Sequence, residues 1–164
     1  MTTIVFRDGV LAADTRAYSG DRSPIGFKQK IFQVRNSDGT LATVGISTPN
    51  PGFSEEIRNW FVNEKHMDAQ PEVRDRGFSA LEITADGEVF YYSDNFTGSG
   101  PLTADWFAIG SGQDFAIGAL EMGATAQEAV QIALQNDPWT GGVVQHIIIP
   151  DMVPVETEEQ EIAA

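Results

Sequence analysis

The sequence predicts an α+β fold in which helices cover two packed sheets, and three observations support this prediction. Apolar, β-favouring segments occur in pairs around turns that contain Asp and Gly, as is typical of β-hairpins. Stretches between these hairpins and near the C-terminus have the apolar spacing of helices. A final apolar run returns the chain to a sheet. The expected order is therefore strands, helix, strands, two helices and a last strand.

The hairpins account for most of the predicted strands. Their strands cover residues 2–6, 10–14, 30–34, 40–44, 78–84 and 88–93. In the second turn, Gly39 tolerates a positive φ. Residues 106–109 form a further strand, and the unbroken apolarity of residues 143–149 predicts a strand that is buried on both faces.

Three helices are predicted from capping signals and apolar spacing. The first follows Ser54, a candidate N-cap, and carries an apolar stripe. The second covers residues 113–122. The third begins at the capping box formed by Thr125 and Glu128 and ends near residue 135.

Length and composition are those of one compact domain. The chain has 164 residues, of which 41% are hydrophobic, and this is enough for one core but leaves little for a second. We assign residues 1–155 to this domain. The acidic residues 156–164 are expected to form a solvated, disordered tail.

Charge and residue usage exclude several classes of function. With 24 acidic and 10 basic residues, the net charge of −14 repels nucleic-acid phosphates and anionic lipids. The chain has no cysteine, and its two histidines, His66 and the expected core residue His146, lack metal-ligand spacing. No apolar run reaches the ~20 residues of a membrane span, and the N-terminus lacks a signal-peptide pattern. We therefore expect a cytoplasmic protein with no metal, cofactor, nucleic-acid partner or membrane partner.

Thr2 is the first candidate for chemistry because it directly follows the initiator methionine. Its side chain is small enough for methionine aminopeptidases, and removal of Met1 would leave a free threonine amine. An α-amine titrates near ~8, so at neutral pH it can accept the proton of its own hydroxyl, directly or through one water. Nucleophile and base would then belong to one residue.

The hairpin registers bring further polar groups to the same end of the sheets. A three-residue turn at residues 7–9 places Thr2 opposite Asp14, whereas a two-residue turn would shift this register by one. In the second hairpin, Lys30 and Gly45 lie at the corresponding open end. An amine, a hydroxyl, a lysine and a carboxylate are the groups that amide attack needs. On pattern alone, however, ordinary strand-end charges are the simpler interpretation of Asp14 and Lys30.

Five segments in order make the chain resemble proteasome β-type subunits and the bacterial HslV peptidase. They are Thr2-Thr3-Ile4-Val5, Ala12-Ala13-Asp14-Thr15-Arg16, Lys30-Ile31-Phe32, Gly110-Ser111-Gly112 and Asp137-Pro138-Trp139-Thr140-Gly141-Gly142. This resemblance implies an N-terminal nucleophile hydrolase fold, a four-layer αββα sandwich of two antiparallel sheets between helical layers. It also implies a threonine-type endopeptidase for peptides or unfolded proteins, assembled as a homo-oligomeric ring, with an ATP-dependent unfoldase as a candidate partner.

The resemblance implies a role for each matched polar residue. Thr2 corresponds to the nucleophile, Lys30 to the active-site lysine and Asp14 to the carboxylate bound to that lysine. Arg16 follows the aspartate as it does in the family.

Three matched residues surround the N-terminal amine. Ser111 corresponds to the serine beside it, and Asp137 and Thr140 complete the hydrogen-bond network, with Thr140 replacing a serine. The oxyanion donor is the amide of Gly45 or Ile46, of which we choose Gly45. Without the family, residues 110–112 and 137–142 are interpreted as a strand-to-helix turn and a helix-terminating loop.

The chain departs from the family pattern after the predicted first helix. Family members have two long helices between the fourth and fifth strands, whereas residues 66–77 are polar and contain a proline. We therefore expect the first helical layer to be truncated. Two alternative functions remain: a catalytically idle ring or interaction subunit, and an amidase for a small non-peptide amide.

Overall fold

The computed structural model describes residues 1–154, so the acidic tail predicted at residues 156–164 lies outside the described residues. The strands of the described part are β1 (Thr3–Arg7), β2 (Val10–Ala13), β3 (Arg16–Tyr18), β4 (Pro24–Phe27), β5 (Ile31–Arg35), β6 (Leu41–Ser47), β7 (Ser79–Ile83), β8 (Val89–Tyr92), β9 (Ser99–Leu102), β10 (Trp106–Gly110) and β11 (Gln145–Ile148). The helices are α1 (Phe53–Val62), α2 (Gln113–Glu121) and α3 (Ala126–Asn136). Strands β3, β4 and β9 were not predicted from the sequence.

The strands form two large antiparallel sheets and a small ribbon. One sheet has the order β10-β1-β2-β11, the other has the order β5-β6-β7-β8-β9, and β3 pairs with β4 in the ribbon. The sheets face each other through an apolar core, whose buried members are Ile4, Phe6, Leu11, Ala13, Ile31, Leu81, Ile83, Val89 and Ile109. Helices α2 and α3 cover the four-stranded sheet, and α1 covers the five-stranded sheet. The predicted αββα order is confirmed.

The helical layer over the five-stranded sheet is truncated, as the sequence predicts. Between β6 and β7, the described chain forms only α1 and a short 3₁₀ turn at Met67–Ala69. Aromatic side chains fill the remaining space against Trp60 of α1, and Phe96 lies 5.0 Å from its ring centroid. Val73 of the following loop packs against the same cluster. Loop and strand-end side chains therefore complete a core for which one helix is too small.

The helix starts show one confirmed and one wrong prediction. The Thr125 side chain accepts from the Glu128 N–H while the Glu128 carboxylate accepts from the Thr125 N–H, so the predicted capping box is present. Helix α1 instead begins after Gly52, whose left-handed φ of 83° lets the helix start before Ser54. Ser54 does not cap the helix, and its hydroxyl contacts Lys28.

The first hairpin turns through two residues instead of the predicted three. Asp8 and Gly9 have φ values of 50° and 74°, as a type I′ turn requires. The resulting register places Asp14 opposite Thr3, whose carbonyl accepts from the Asp14 N–H at 3.3 Å. The predicted pairing of Thr2 with Asp14 is therefore wrong by one residue.

Strand β11 differs from the prediction of a strand buried on both faces. It lies at the edge of its sheet, beside β2, with His146 and Ile148 exposed. Helix α3 packs on β1 and β2, so the outer face of this edge strand stays open. The expectation that His146 belongs to the core is wrong for the same reason.

Candidate active site

A buried ion pair lies where β2 ends and β5 is about to begin. The Lys30 ammonium is 2.9 and 3.0 Å from the two Asp14 carboxylate oxygens. The backbone N–H groups of Thr3 and Gly141 also donate to this carboxylate, each at 3.0 Å. Asp14 is 0% exposed, so all four hydrogen bonds form away from water. The carboxylate is held in one orientation from two distant parts of the chain.

Lys30 is directed by this carboxylate towards the N-terminal residues. Burial lowers the pKa of Lys30 below its ordinary value, and the Asp14 carboxylate only partly offsets this effect. The ammonium also donates to the Met1 carbonyl at 3.3 Å. Lys30 therefore places a positive charge beside the Met1–Thr2 peptide bond.

Thr2 is buried immediately before β1, and its hydroxyl shares an acceptor with Lys30. The hydroxyl donates to the same Met1 carbonyl at 2.5 Å. The Thr2 N–H donates to the Ser111 hydroxyl at 3.1 Å. The nitrogen that removal of Met1 would convert to an amine therefore already lies beside Ser111.

A chain of hydroxyl groups continues from Ser111 through Asp137. The Ser111 and Thr140 hydroxyls donate to one oxygen of Asp137, at 2.7 and 2.6 Å. The Thr140 hydroxyl also lies 2.7 Å from that of Thr3. Six of the predicted site residues, Thr2, Asp14, Lys30, Ser111, Asp137 and Thr140, thus lie in one region of the fold.

Thr3 is a site residue that the sequence interpretation missed. It is 0% exposed, its N–H donates to Asp14, and its hydroxyl contacts Thr140. It therefore connects the ion pair to the hydroxyl chain. The available signal was Thr at two successive positions, because side chains alternate along a strand and Thr3 must face away from Thr2.

Two glycines allow the backbone to come this close. Gly110 ends β10 with a φ of 101°, and a Cβ there would overlap the Thr2 carbonyl. Gly141 lies under the guanidinium of Arg16, so a side chain at 141 would displace that group. Both glycines lie in segments that the resemblance singles out.

Two cavities lie beside the N-terminal residue. One, of about 290 Å³, lies between the β3–β4 ribbon and the start of α1. The other, of about 580 Å³, has a mixed lining that includes Ser79, Tyr91 and Trp139. Met1 lines both cavities. Both cavities therefore adjoin the N-terminal residue, and Thr2 itself lines the smaller one.

The Met1 amine shares this environment. Burial lowers the pKa of the Met1 α-amine, and Lys30 lowers it further. Asp14 and Asp137 oppose this shift only in part, so the Met1 amine loses its proton more readily than an exposed α-amine.

The chain is similar to known proteins in its structure, although not in its sequence. No protein-family model matches the sequence, and no curated protein matches it. HslV from Trypanosoma brucei aligns with a TM-score of 0.64 and 16% identity, covering 90% of this chain and 98% of its own. BPH from Thiobacillus denitrificans, in complex with epoxomicin, aligns with a TM-score of 0.64 and 19% identity over 93% and 99% of the two chains. Anbu from Hyphomicrobium sp. strain MC1 has a TM-score of 0.66 and 16% identity over 95% and 85%.

The chain has the N-terminal nucleophile hydrolase fold. Identities this low establish the fold alone. Within this fold, the question of activity depends on the geometry at Thr2.

Gly45, which the sequence predicts as the oxyanion donor, lies in β6 inside the five-stranded sheet. The N–H of the neighbouring Ile46 donates to the Lys30 carbonyl at 3.0 Å. Because polar groups alternate between neighbouring strands, the Gly45 amide faces β7, where Gly45 is paired with Leu81. The first residue beyond β6 is Thr48, which lines the smaller cavity together with Thr2, and no hydrogen bond from its amide occurs among the described residues.

No group of three or more His, Cys, Asp or Glu residues that could hold a metal ion occurs within residues 1–154. No helix in the same range is long and apolar enough to cross a membrane.

Proposed function

We propose that this protein is a proteasome-like threonine peptidase in which Thr2 hydrolyses peptide bonds after Met1 has been removed. One observation carries the proposal: a buried network surrounds Thr2 with Lys30 and Asp14 on one side and Ser111 on the other. A buried lysine is costly, so an ordinary strand end has no need of one beside the Met1–Thr2 peptide bond.

In the proposed first step, the Thr2 hydroxyl oxygen attacks the substrate carbonyl carbon. The hydroxyl proton passes to the free Thr2 amine, directly or through one water. The tetrahedral intermediate then collapses, its C–N bond breaks, and the leaving amine takes up the proton. Water hydrolyses the resulting ester in the second step and restores the threonine.

Lys30 is proposed to stabilise the negative charge that develops on the Thr2 oxygen. This role needs a positioned ammonium, and Asp14 provides the position through two contacts of 2.9 and 3.0 Å. Asp14 does not touch the substrate, so it is a positioning residue.

Ser111, Asp137 and Thr140 are proposed to orient the amine. The Ser111 hydroxyl donates to Asp137, so its lone pairs face the Thr2 nitrogen, which lies 3.1 Å away. A neutral amine held in this way directs its own lone pair towards the hydroxyl proton. Thr140 fixes Asp137 from the other side at 2.6 Å.

For the oxyanion donor, the Thr48 amide is a better candidate than Gly45. Thr48 lines the cavity that Thr2 also lines, whereas the Gly45 amide faces β7. An amide that is free in the resting enzyme can bind the developing oxyanion.

The proposal is tested by intact mass measured before and after incubation with a peptide epoxyketone, which links to the hydroxyl and amine together. We expect the mature protein to lack one methionine residue and to gain one probe molecule. BPH of T. denitrificans was solved with epoxomicin, which makes that epoxyketone a suitable choice of probe. Thr2→Ser should retain labelling and Thr2→Ala should lose it. Fully processed protein that gains no probe would refute the peptidase proposal.

An idle subunit is the second candidate, and the Met1 contacts favour it. With Met1 in place, its carbonyl accepts hydrogen bonds from both the Thr2 hydroxyl and the Lys30 ammonium, at 2.5 and 3.3 Å. A chain that keeps Met1 has no free Thr2 amine. Protein purified from its native host would then retain the mass of Met1.

An amidase for a small non-peptide substrate would use the same residues. Profiling with peptide and acyl-amide libraries separates it from a peptidase. We further propose a homo-oligomeric assembly, with an unfoldase as candidate partner, since Anbu from Pseudomonas aeruginosa was solved as a helical assembly. Size-exclusion chromatography with light scattering tests the assembly, and a monomer at micromolar concentration would contradict it.

A further inference from the structure

The smaller cavity beside Thr2 has the size of a pocket for one side chain. Its volume of about 290 Å³ is at the lower end of the range for ligand pockets, roughly 300–1,000 Å³. Apolar residues of the β3–β4 ribbon, of β6 and of the following loop line it, namely Ala17, Tyr18, Ile25, Ile46, Pro49 and Pro51. Such walls favour an apolar side chain.

An ion pair forms part of the wall of this cavity. The Lys28 ammonium donates to the Ser54 hydroxyl and to the Glu55 carboxylate, each at 2.8 Å. The Ser54 hydroxyl donates to the other oxygen of Glu55 at 2.9 Å. Partial burial opposes the effect, but the hydrogen bonds from Lys28 and Ser54 hold the pKa of Glu55 below its ordinary value. Both groups are charged and neutralise each other.

The remaining charges on the cavity wall are engaged elsewhere. Lys30 is paired with the buried Asp14. The guanidinium of Arg16 packs against Gly141 and donates to the Tyr18 hydroxyl at 3.3 Å. Lys28 and Glu55 are therefore the groups that decide whether a charged side chain finds a partner in the cavity.

Met1 supplies an independent observation. It is half-buried, lines the same cavity, and its carbonyl contacts the Thr2 hydroxyl. A residue with an uncharged side chain, whose carbonyl lies at the nucleophile, is thus already found at the edge of this cavity.

We infer that this cavity selects an uncharged, apolar side chain on the substrate residue whose carbonyl is attacked, and that the Lys28–Glu55 pair sets this preference. The inference rests on the proposed peptidase function. Removal of either partner frees the other charge, which can then bind a side chain of opposite sign. The pair therefore works against both kinds of charged substrate.

The test compares three peptides that differ only in that residue, which is Leu, Arg or Glu. The enzymes are the mature wild type, Lys28→Met, Glu55→Gln and the double variant. We expect the wild type to prefer Leu. The Lys28 and Glu55 side chains are 34% and 60% exposed, so Lys28→Met should raise the Arg/Leu ratio of kcat/KM roughly two- to fivefold, and Glu55→Gln should raise the Glu/Leu ratio similarly. The double variant should return to the Leu preference, and thermal unfolding verifies that all four proteins are folded.

Two kinds of result would overturn the inference. A wild-type preference for Arg or Glu contradicts it, and so do unchanged ratios in the folded single variants; in both cases the peptidase function itself stands. Absence of cleavage of all three peptides by protein with a free Thr2 amine overturns the peptidase proposal, and the inference falls with it.

Discussion

The buried contact between Asp14 and Lys30 predicts a large loss of stability in Asp14→Asn. The substitution keeps the size of the side chain but removes its charge. Each carboxylate oxygen accepts from Lys30 and from one backbone N–H, either that of Thr3 or that of Gly141. Whichever way an asparagine amide is turned, its NH₂ group faces two other donors. The variant also leaves an uncompensated ammonium in the interior.

The expected magnitude follows from the burial of both partners. The side chains of Asp14 and Lys30 are 0% and 3% exposed. Removal of one member of a buried pair costs about 3–5 kcal/mol. For a chain of this length, 1 kcal/mol corresponds to roughly 2–4 °C in Tm. We therefore expect the Tm of Asp14→Asn to fall by about 10 °C, within limits of roughly 6–20 °C.

The assay is thermal unfolding by circular dichroism, combined with urea unfolding to obtain the free energy. Glu56→Gln is the matched control, because it removes the exposed Arg76–Glu56 pair with contacts of 2.6 and 3.1 Å. This control should cost less than about 1 kcal/mol. Asp14→Asn/Lys30→Met should be more stable than Asp14→Asn alone, because it no longer buries an unpaired charge.

Two outcomes would refute this reasoning. If Asp14→Asn loses no more stability than the surface control, the pair is not buried as described. If the double variant is less stable than the single one, the unpaired ammonium is not the cause of the loss. Probe labelling of Thr2 should also decrease in Asp14→Asn, since Lys30 loses the group that positions it.

Three further predictions concern the amine, a backbone contact and the aromatic core. Burial and Lys30 lower the pKa of the Met1 α-amine, and we expect the same direction for the mature Thr2 amine, whose nitrogen lies beside Ser111; kcat/KM should therefore rise with pH to a plateau through a midpoint below ~8, the ordinary α-amine value, and a pH–rate profile with its midpoint above that value would contradict this. Gly110→Ala should cost at least about 1–3 kcal/mol and reduce probe labelling, because a Cβ would overlap the Thr2 carbonyl; unchanged labelling kinetics would show that this contact does not position Thr2. The buried Trp60 Nε1 has no hydrogen-bond partner within the described residues, so Trp60→Phe should cost much less than the roughly 3–5 kcal/mol of Trp60→Ala in urea unfolding; equal costs would argue against it.

Local patterns predicted the elements whose causes lie within a few residues. The capping box of Thr125 and Glu128 is such a case, since both partners belong to one helical turn. The two-residue turn at Asp8 and Gly9 was compatible with the sequence, but turn length alone left the register open by one residue. The status of β11 as an edge strand depended on where α3 packs, and apolarity carried no information about that.

The Gly45 prediction shows a second kind of information that the sequence alone did not contain. A glycine near the end of a strand predicts close approach of the backbone, and a Cβ at Gly45 would indeed contact Ile4 at 2.8 Å. The sequence cannot indicate which neighbouring strand the amide faces, because that depends on the register of both hairpins. The alternation of hydrogen bonds directs the Gly45 amide towards β7, so the Thr48 amide becomes the candidate oxyanion donor.

By itself, the sequence determined the order of the layers, the truncated helical layer and the types of residue available for chemistry. Only the tertiary structure decided which of these residues meet, because the contacts join positions far apart in the chain. Thr2 and Ser111 are separated by 109 residues, and Asp14 and Gly141 by 127. Such contacts exist only after the two sheets have packed face to face. Local propensities do not specify this packing with the precision that a hydrogen bond requires.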